Sequence, residues 1–397
     1  MEKYSERINR MSYSQTFVMS NKAREMKAAG IDVISLTLGE PDFDVPDNIK
    51  SAAIAAINEN YSHYSPVPGF LELRQAIAKK LKRDNNLSYQ PNQICVSNGA
   101  KQSILNVLAS IINKGDEVIL PNPFWVSYDE MVKMMDGTSV FIETSIETEF
   151  KMTAEQLEKA ITPRTKALLY SSPCNPSGSY YTHDELEKIA NVIAKHPQIT
   201  IISDEIYEFI NYDGKHTSIA EFPQVFEQTA VINGMSKAFA MTGWRIGYSA
   251  CPDWLAKACD KIQGQMTSGA NTVAQRASMV ALETDPSEYH YMISSFEKRR
   301  NLVYELMKDI PGFKVNLPKA AFYFFPDISF WIGKNLDGVQ INNSDDFAMF
   351  LLESAYVATV GGVSFGDSNC IRFSYAASED DLREAMTRIK NLLKKYI

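Results

Sequence analysis

The sequence has little excess positive charge, few histidines and no long apolar run. Its 40 lysines and arginines are outnumbered by 48 aspartates and glutamates, so the formal net charge is −8. An acidic chain without a basic run argues against nucleic acid or an anionic membrane as a partner. No stretch is apolar enough to span a bilayer, and the first residues lack the apolar core of a secretory signal. We therefore expect no nucleic acid and no membrane among the partners.

Cysteine and histidine are also sparse. The five cysteines are odd in number, scattered and without C-x-x-C spacing, which is typical of reduced, mostly buried thiols in a cytoplasmic protein: Cys95, Cys174, Cys251, Cys259 and Cys370. The five histidines form no H-E-x-x-H or similar set, so we predict no metal site.

Short apolar runs alternate with helical stretches along the middle of this 397-residue chain. Seven runs are predicted to be buried strands: 94–97, 117–120, 139–142, 167–171, 200–203, 230–233 and 246–250. Strands of this kind separated by helices indicate an α/β fold with a mostly parallel sheet covered on both faces. Capping boxes at Thr153 and Thr182 and a cap at Ser378 mark three helix starts.

The segment 232–247, INGMSKAFAMTGWRIG, is the most informative part of the sequence. Lys237 stands among small residues, as a lysine that forms a Schiff base requires. Arg245 lies eight positions further on, and from the residues alone it is suited to bind a substrate carboxylate. The alternative is a surface lysine and arginine that flank an apolar turn.

Other polar residues follow predicted strands at their carboxyl ends. Asp204 and Tyr207 follow one strand, Asn175 follows another, and the Gly99–Ala100 turn follows a third. Because the carboxyl ends of parallel strands form the binding crevice of an open α/β sheet, we expect these residues to converge with Lys237. Locally, Asp204 also suits a helix N-cap, and Asn175 a plain Asn-Pro turn.

Six motifs occur in the order seen in class I/II aminotransferases, which use pyridoxal phosphate. They are LGEPDF (38–43), YSPVPG (64–69), SNGAKQ (97–102), SPCNPSG (172–178), SDEIY (203–207) and the segment 232–247. The chain resembles this family over nearly its whole length, and in particular the bacterial aspartate aminotransferases called I-beta. Ser177 stands where threonine is commoner, but the hydroxyl is kept.

The resemblance implies the fold type I of pyridoxal-phosphate-dependent transferases. It has a large domain with a mostly parallel seven-stranded sheet and a smaller α/β domain. We expect the large, cofactor-binding domain at 45–295. The small domain is expected to combine 1–44 with 296–397 and to close over the substrate.

The resemblance also assigns the cofactor contacts. Lys237 would form the Schiff base and shuttle a proton, Asp204 would pair with the pyridine nitrogen, and Tyr207 and Asn175 would donate to the phenolic oxygen. Trp125 would stack on the ring. The cofactor phosphate would be bound by Ser236, Arg245 and the backbone of Gly99, Ala100 and Lys101. The resemblance also implies a homodimer with shared active sites, in which Tyr64 of the neighbouring subunit would contact the phosphate.

For the substrate, the resemblance implies Arg372 as the ligand of the α-carboxylate. Its helpers are Gly39, Asn175 and Trp125. A second carboxylate would bind the Lys101 side chain, with hydroxyls from Ser14 and Thr16. The simpler alternative for Lys101 is a solvated lysine at a helix start, where the helix dipole mildly disfavours a cation.

These residues predict an aminotransferase that moves an amino group between an acidic L-amino acid and a 2-oxo acid, foremost aspartate and 2-oxoglutarate. Glutamate/aspartate-prephenate transamination is an alternative, because prephenate also carries a second carboxylate. An alanine/aromatic aminotransferase on the same fold is another. A non-catalytic ligand sensor is a remote alternative, since the sequence leaves no room for an N-terminal DNA-binding motif before Leu38.

Overall fold

The computed structural model describes residues 4–214 and 216–397. Residues 1–3, which belong to the predicted N-terminal segment, lie outside the described part. The α-helices are α1 (Glu6–Arg10), α2 (Gln15–Ala28), α3 (Asp47–Asn58), α4 (Leu71–Asn85), α5 (Ala100–Ile111), α6 (Ser127–Met134), α7 (Ala154–Ala160), α8 (His183–Ile193), α9 (Asp253–Met266), α10 (Thr272–Glu283), α11 (His290–Met307), α12 (Ser344–Ala355) and α13 (Glu379–Leu393).

The strands are β1 (Ile34–Ser35), β2 (Ile94–Ser97), β3 (Glu117–Pro121), β4 (Thr138–Ile142), β5 (Thr165–Ser171), β6 (Thr200–Asp204), β7 (Thr229–Gly234), β8 (Gly247–Ala250), β9 (Tyr323–Phe324), β10 (Asn335–Leu336), β11 (Val339–Gln340), β12 (Val357–Ala358), β13 (Val360–Gly361) and β14 (Ile371–Ser374). The 3₁₀ turns are Pro91–Gln93, Ile146–Thr148, Ile219–Glu221, Pro223–Gln228, Thr242–Trp244, Pro286–Tyr289, Ser329–Trp331, Val363–Phe365 and Lys394–Tyr396.

The seven predicted strands form one central sheet in the order β2-β8-β7-β6-β5-β3-β4. Pairing is parallel from β7 to β4, whereas β8 runs antiparallel to both of its neighbours. The prediction of a mostly parallel seven-stranded sheet is therefore confirmed. Since β2 and β7 are both antiparallel to β8, the strands that precede the predicted site residues all point the same way.

Side-chain alternation along the strands explains why both faces of the sheet are buried. Val118 and Leu120 of β3 pack on the face that carries α5, α6 and α9. Ile119, between them, packs on the opposite face with α7 and α8. Period-2 alternation sends neighbouring residues to opposite faces, so a continuous apolar run covers two layers at once. At the β2 end, α3, α4 and α10 cover the sheet.

A separate apolar cluster surrounds the small strands. It joins part of α2 with α11, α12, α13 and strands β1, β9, β12 and β14. β1 pairs in parallel with β12, and β13, β14 and β9 form an antiparallel sheet. Chain from both ends thus shares one core, which explains how residues near positions 14 and 372 approach the same site. The domain boundaries at 45–295 stay a prediction.

Local signals in the sequence are confirmed in detail. Thr153 and Thr182 cap α7 and α8 in reciprocal capping boxes, and Ser378 caps α13. All five cysteines are free and buried. Among the described helices, none is long and apolar enough to cross a membrane. The cytoplasmic location stays a prediction.

Candidate active site

A cavity of about 460 Å³ opens at the carboxyl ends of the central strands. Thirteen of the predicted site residues line it: Ser14, Thr16, Gly39, Ala100, Lys101, Trp125, Asn175, Asp204, Tyr207, Ser236, Lys237, Arg245 and Arg372. Gly99 is outside the lining but adjoins Arg245. Tyr64 is not among the lining residues, and 96% of its surface is exposed. The expected convergence of residues from distant parts of the chain is therefore present in the structure.

The start of α5 meets Arg245 because Gly99 has no side chain. Gly99 precedes α5 with φ +83°, and a Cβ there would collide with the Arg245 guanidinium. Arg245 is held over this turn by the carbonyls of Thr242, at 2.8 Å, and Asn98, at 3.4 Å. The first N–H groups of a helix have no intrahelical acceptor and attract anions. Arg245 and the first N–H groups of α5 are therefore suited to bind an anion at this end of the cavity.

Lys237 follows β7 and points into the cavity. Its Nζ donates to the carbonyl of Gly39 at 2.5 Å and lies 5.8 Å from the centre of the Tyr207 ring. Burial lowers the pKa of Lys237 to about 8; Arg245 and Arg372 also lower it, while the nearby Glu40 carboxylate opposes the shift. A lysine with this pKa loses its proton close to neutral pH, as a nucleophilic or proton-shuttling amine requires.

Asp204 ends β6 with its carboxylate buried at the cavity wall. Tyr128 Oη donates to Oδ2 at 2.6 Å, and the Ile206 N–H donates to Oδ1 at 3.2 Å. The second bond is the local turn contact that the N-cap alternative anticipated, but no α-helix follows. Burial raises the pKa of Asp204 to about 6, against the lowering effect of Tyr128. A positively charged partner beside this carboxylate would therefore be favourable.

Tyr207 is buried and hydrogen-bonded to a second tyrosine. Its hydroxyl lies 2.6 Å from that of Tyr323, and the two rings meet edge to face. Burial raises the pKa of Tyr207 well above its usual value. The hydroxyl thus stays protonated and remains a donor at neutral pH.

Arg372, on β14, is a buried cation without a carboxylate partner among the described residues. Its Nη1 donates to Asn175 Oδ1 at 2.9 Å, and Nη2 donates to the carbonyl of Thr37. The guanidinium lies over the rings of Tyr323 and Phe365, at 4.7 and 5.0 Å. Its Nε is buried and lacks a partner in the described structure. A buried cation without an anionic partner favours the binding of an anion.

Lys101 extends along the face of Trp125, with Nζ 4.8 Å from the ring centre. Desolvation and the positive charge of Arg245 lower the pKa of Lys101. Ser14 and Thr16, at the start of α2, line the same cavity, and the Ser14 hydroxyl makes no capping bond to α2. Lys101 therefore lines the cavity while its side chain is also exposed, so the simpler alternative of a solvated lysine stays open.

Sequence reasoning missed three groups that touch the predicted residues. Tyr128 and Tyr323 hydrogen-bond Asp204 and Tyr207, and Glu40 lines the cavity near Lys237. Tyr128 had a signal, because it lies one helical turn beyond the predicted Trp125. Tyr323 had none, since it sits in the apolar run 320–325 and only the pairing of β9 with β14 brings it here.

The fold and this cavity define the class of protein. The family model of aminotransferases, class I and II, matches residues 31–389, and the chain belongs to that family. It is an aminotransferase with the α/β architecture that the sequence predicted.

Individual relatives make the comparison more specific. A probable aspartate/prephenate aminotransferase from Rhizobium leguminosarum bv. phaseoli is 47% identical over 386 residues, 96% of each chain. A bifunctional aspartate aminotransferase and glutamate/aspartate-prephenate aminotransferase from Petunia hybrida is 45% identical, over 98% of this chain and 82% of that protein. The crystal structure of the aspartate aminotransferase from Rhizobium meliloti matches with a TM-score of 0.95 and 39% identity, over 99% of both chains.

Proposed function

We propose that the protein uses pyridoxal phosphate to move an amino group between an acidic L-amino acid and a 2-oxo acid, foremost aspartate and 2-oxoglutarate. One observation carries the proposal. Four basic side chains line the cavity against two carboxylates, Glu40 and Asp204, and none of the four forms an ion pair in the described structure: Lys101, Lys237, Arg245 and Arg372. In an otherwise acidic protein, this excess suits one phosphate and two substrate carboxylates.

The residues of the cavity suit both the phosphate and the pyridine ring of pyridoxal phosphate. When bound, this cofactor supplies an aldehyde that an amine can capture and a protonated ring that withdraws electrons. Arg245, the Ser236 hydroxyl and the start of α5 would hold the phosphate. Asp204 would hold the pyridine proton, and the raised pKa of its carboxyl falls back once that positive charge is beside it. Trp125 would cover the ring.

Lys237 acts as the base and acid of the transfer in this proposal. Its pKa of about 8 allows the Nζ to take up a proton and return it near neutral pH. The Gly39 carbonyl orients the amine, because it accepts from Nζ at 2.5 Å. Tyr207 and the Asn175 amide would donate hydrogen bonds to the cofactor's phenolic oxygen.

Substrate recognition is assigned to the two cations that the cofactor leaves free. Arg372 lines the cavity and is assigned to the α-carboxylate, and Asn175 and Tyr323 hold its guanidinium in place. Lys101 is assigned to the second carboxylate, with the Ser14 hydroxyl beside it. Two cations in one cavity favour dicarboxylic over monocarboxylic amino acids.

Replacing Lys101 tests this assignment. Lys101→Met keeps the backbone N–H at the start of α5 and removes only the charge. We expect kcat/KM for aspartate to fall by about 10²-fold, the value of one charge-assisted contact, with alanine turnover unchanged. Lys114→Met, at an exposed site, is the matched control. Equal losses for aspartate and alanine would show that Lys101 does not read the second carboxylate.

Prephenate is the second candidate substrate, and the relatives' names favour it. The space supports it as well: the cavity adjoins another of about 730 Å³, and the two share Ser14, Lys101 and Ser127 as lining residues. A bulky ring would extend into that space. Comparable kcat/KM values for prephenate and 2-oxoglutarate, with glutamate or aspartate as donor, would establish it; no prephenate turnover would exclude it.

We also propose a homodimer in which Tyr64 completes the partner's phosphate site. Its 96% exposure and its absence from the lining of its own chain's cavity are compatible with a contribution in trans. Tyr64→Phe is expected to weaken cofactor binding by about tenfold, the loss of one hydrogen bond to a charged group. Sedimentation of the wild-type protein as a monomer, or unchanged cofactor affinity in the variant, would contradict the proposal.

A further inference from the structure

The turn that carries Asp204 and Tyr207 has a second, buried side. Asp204 and Tyr207 line the cavity, whereas Glu205 and Glu208 are outside its lining and are only 1% and 7% exposed. Burying a carboxylate is costly unless it is paired and hydrogen-bonded. The partners of these two glutamates therefore determine how the whole turn is held.

Glu208 is bound to α4 and β7. Lys80, itself 1% exposed, forms an ion pair with Oε1, and the amides of Asn233 and Asn85 donate to Oε1 and Oε2 at 2.8 Å each. Lys80 also donates to Asn85 Oδ1 at 2.7 Å. Burial alone would raise the pKa of the Glu208 carboxyl, but the positive charges of Lys80 and His216 outweigh it and lower the pKa.

Glu205 is bound to the loop that leads into β7. Its Oε1 accepts from the hydroxyls of Ser203 and Ser218, at 2.9 and 2.7 Å, and its Oε2 lies 2.9 Å from His216 Nε2. Burial favours a neutral His216, but the negative charges of Glu205 and Glu208 outweigh it and raise the pKa of the imidazole. The Lys80–Glu208 ion pair and the His216–Glu205 contact thus lie on the buried side of the turn that carries Asp204 and Tyr207.

Ligand atoms of Glu205, Glu208 and His216 lie within 4.8 Å of one another, a spacing that a metal ion also permits. The surroundings do not favour a cation. Lys80 already supplies one positive charge to Glu208, and both carboxylates have donors on each oxygen. With His216 protonated, the four charges cancel, and an added divalent cation would leave the cluster positively charged.

Buried ion pairs of this kind add little net stability, because the desolvation of the charges offsets their attraction. Here they lie beside Asp204, whose negative charge the proposed cofactor site requires. Glu205 follows Asp204 in the chain, and its negative charge helps to raise the pKa of the Asp204 carboxyl. His216 supplies the charge that balances Glu205. Without the positive charge of His216, the negative charge of Glu205 next to Asp204 is not balanced.

Other charged and titratable groups also face this network. Asp84 lies 4.0 Å from the Lys80 ammonium, and Arg83 lies close enough to Glu208 to sense its charge. Three tyrosines near the two glutamates remain neutral because burial raises their pKa: Tyr89, Tyr170 and Tyr248.

We propose that His216 and Glu205 are positioning residues for Asp204: together with the Lys80–Glu208 pair they hold the Asp204–Tyr207 turn and balance the charge behind it. The proposal rests on the proposed function only in that pyridoxal phosphate binds against Asp204. It assigns a role to a histidine and two glutamates that touch neither cofactor nor substrate.

The pH titration of the absorbance of bound pyridoxal phosphate tests the proposal without a substrate. His216→Gln keeps a donor to Glu205 and removes the positive charge. The more negative surroundings favour protonation of the bound cofactor, so the titration midpoint rises, on the order of half a pH unit. In the double variant His216→Gln/Glu205→Gln both charges are gone, and the midpoint returns to the wild-type value.

Reversal by the second substitution separates a charge effect from structural damage, which would accumulate. Glu117→Gln is the matched control: Glu117 is 4% exposed and paired with Arg164, but lies at the far end of β3. It is expected to leave the midpoint unchanged. An unshifted single variant, an unreversed double variant or a shift in the control would overturn the proposal. A wild-type protein that binds no pyridoxal phosphate would overturn the proposed function as well.

Unaltered protein gives a second measurement if either variant fails to fold. Of the five histidines only His216 is buried, so its NMR signal is identified by protection from a soluble paramagnetic agent. Coupling to Asp204 is reciprocal, and the His216 titration therefore shifts when pyridoxal phosphate is bound. Identical titrations with and without the cofactor would overturn the proposal.

Discussion

The buried carboxyl of Asp204 is expected to reduce the stability of the cofactor-free protein. Burial raises its folded-state pKa to about 6 from an ordinary 3.8. A raised carboxyl pKa means that the folded state holds the proton more tightly, so stability falls as pH rises from about 4 to 6 and stays lower above that range. Two pKa units correspond to about 3 kcal/mol. Asp204→Asn keeps the shape and an acceptor for Tyr128 but has no charge to desolvate.

We therefore expect cofactor-free Asp204→Asn to be more stable than the wild type at pH 7.5, by up to about 3 kcal/mol and a few degrees in Tm. The advantage should shrink below pH 6 and vanish near pH 4. Thermal unfolding at a series of pH values measures it, with the exposed Asp44→Asn as control. The loaded variant should lose activity at the same time. A stability difference that does not change with pH would refute the reasoning.

Three further substitutions test the contacts around the cavity. Tyr128→Phe removes the donor to Asp204, so the pKa of that carboxyl rises further, by about one unit. The acid limb of the kcat pH profile should move to higher pH by the same amount, and a limb that stays in place would contradict this. Arg372→Lys loses the forked guanidinium, and kcat/KM for every amino acid tested should fall by about 10²-fold or more; a loss confined to dicarboxylates would reverse the assignment. Gly99→Ala places a Cβ against Arg245 and should weaken cofactor binding by about tenfold in an absorbance titration; unchanged binding would show that Arg245 is free to move.

The central sheet was predictable because its signal is local. Each strand is a short apolar run bounded by turn or helix signals. Six of the seven strands point the same way, so the strand ends that carry Asp204, Asn175 and Lys237 meet at one edge of the sheet. The antiparallel direction of β8 carries no comparable signal, since a run such as 246–250 looks the same in either direction. Only its pairing with β2 and β7 decides the direction.

The position of a candidate residue at the cavity was predictable where the residue lies in a motif, as with Lys237 and Asn175. The contacts that tune those residues were not. Tyr323 reaches Tyr207 through pairing between β9 and β14, and His216 reaches Glu205 across a loop, so neither contact depends on a sequence spacing. The prediction also placed Asp204 correctly without anticipating that burial raises the pKa of its carboxyl to about 6.

One measurement tests the central claim most directly: single-turnover mixing of the loaded wild-type protein with individual amino acids, followed by the absorbance of the bound cofactor. If Arg372 and Lys101 read two carboxylates, aspartate and glutamate should bleach that absorbance at least about 10²-fold more efficiently than alanine or phenylalanine, the value of one charge-assisted contact. Equal efficiency for alanine or phenylalanine would contradict the account.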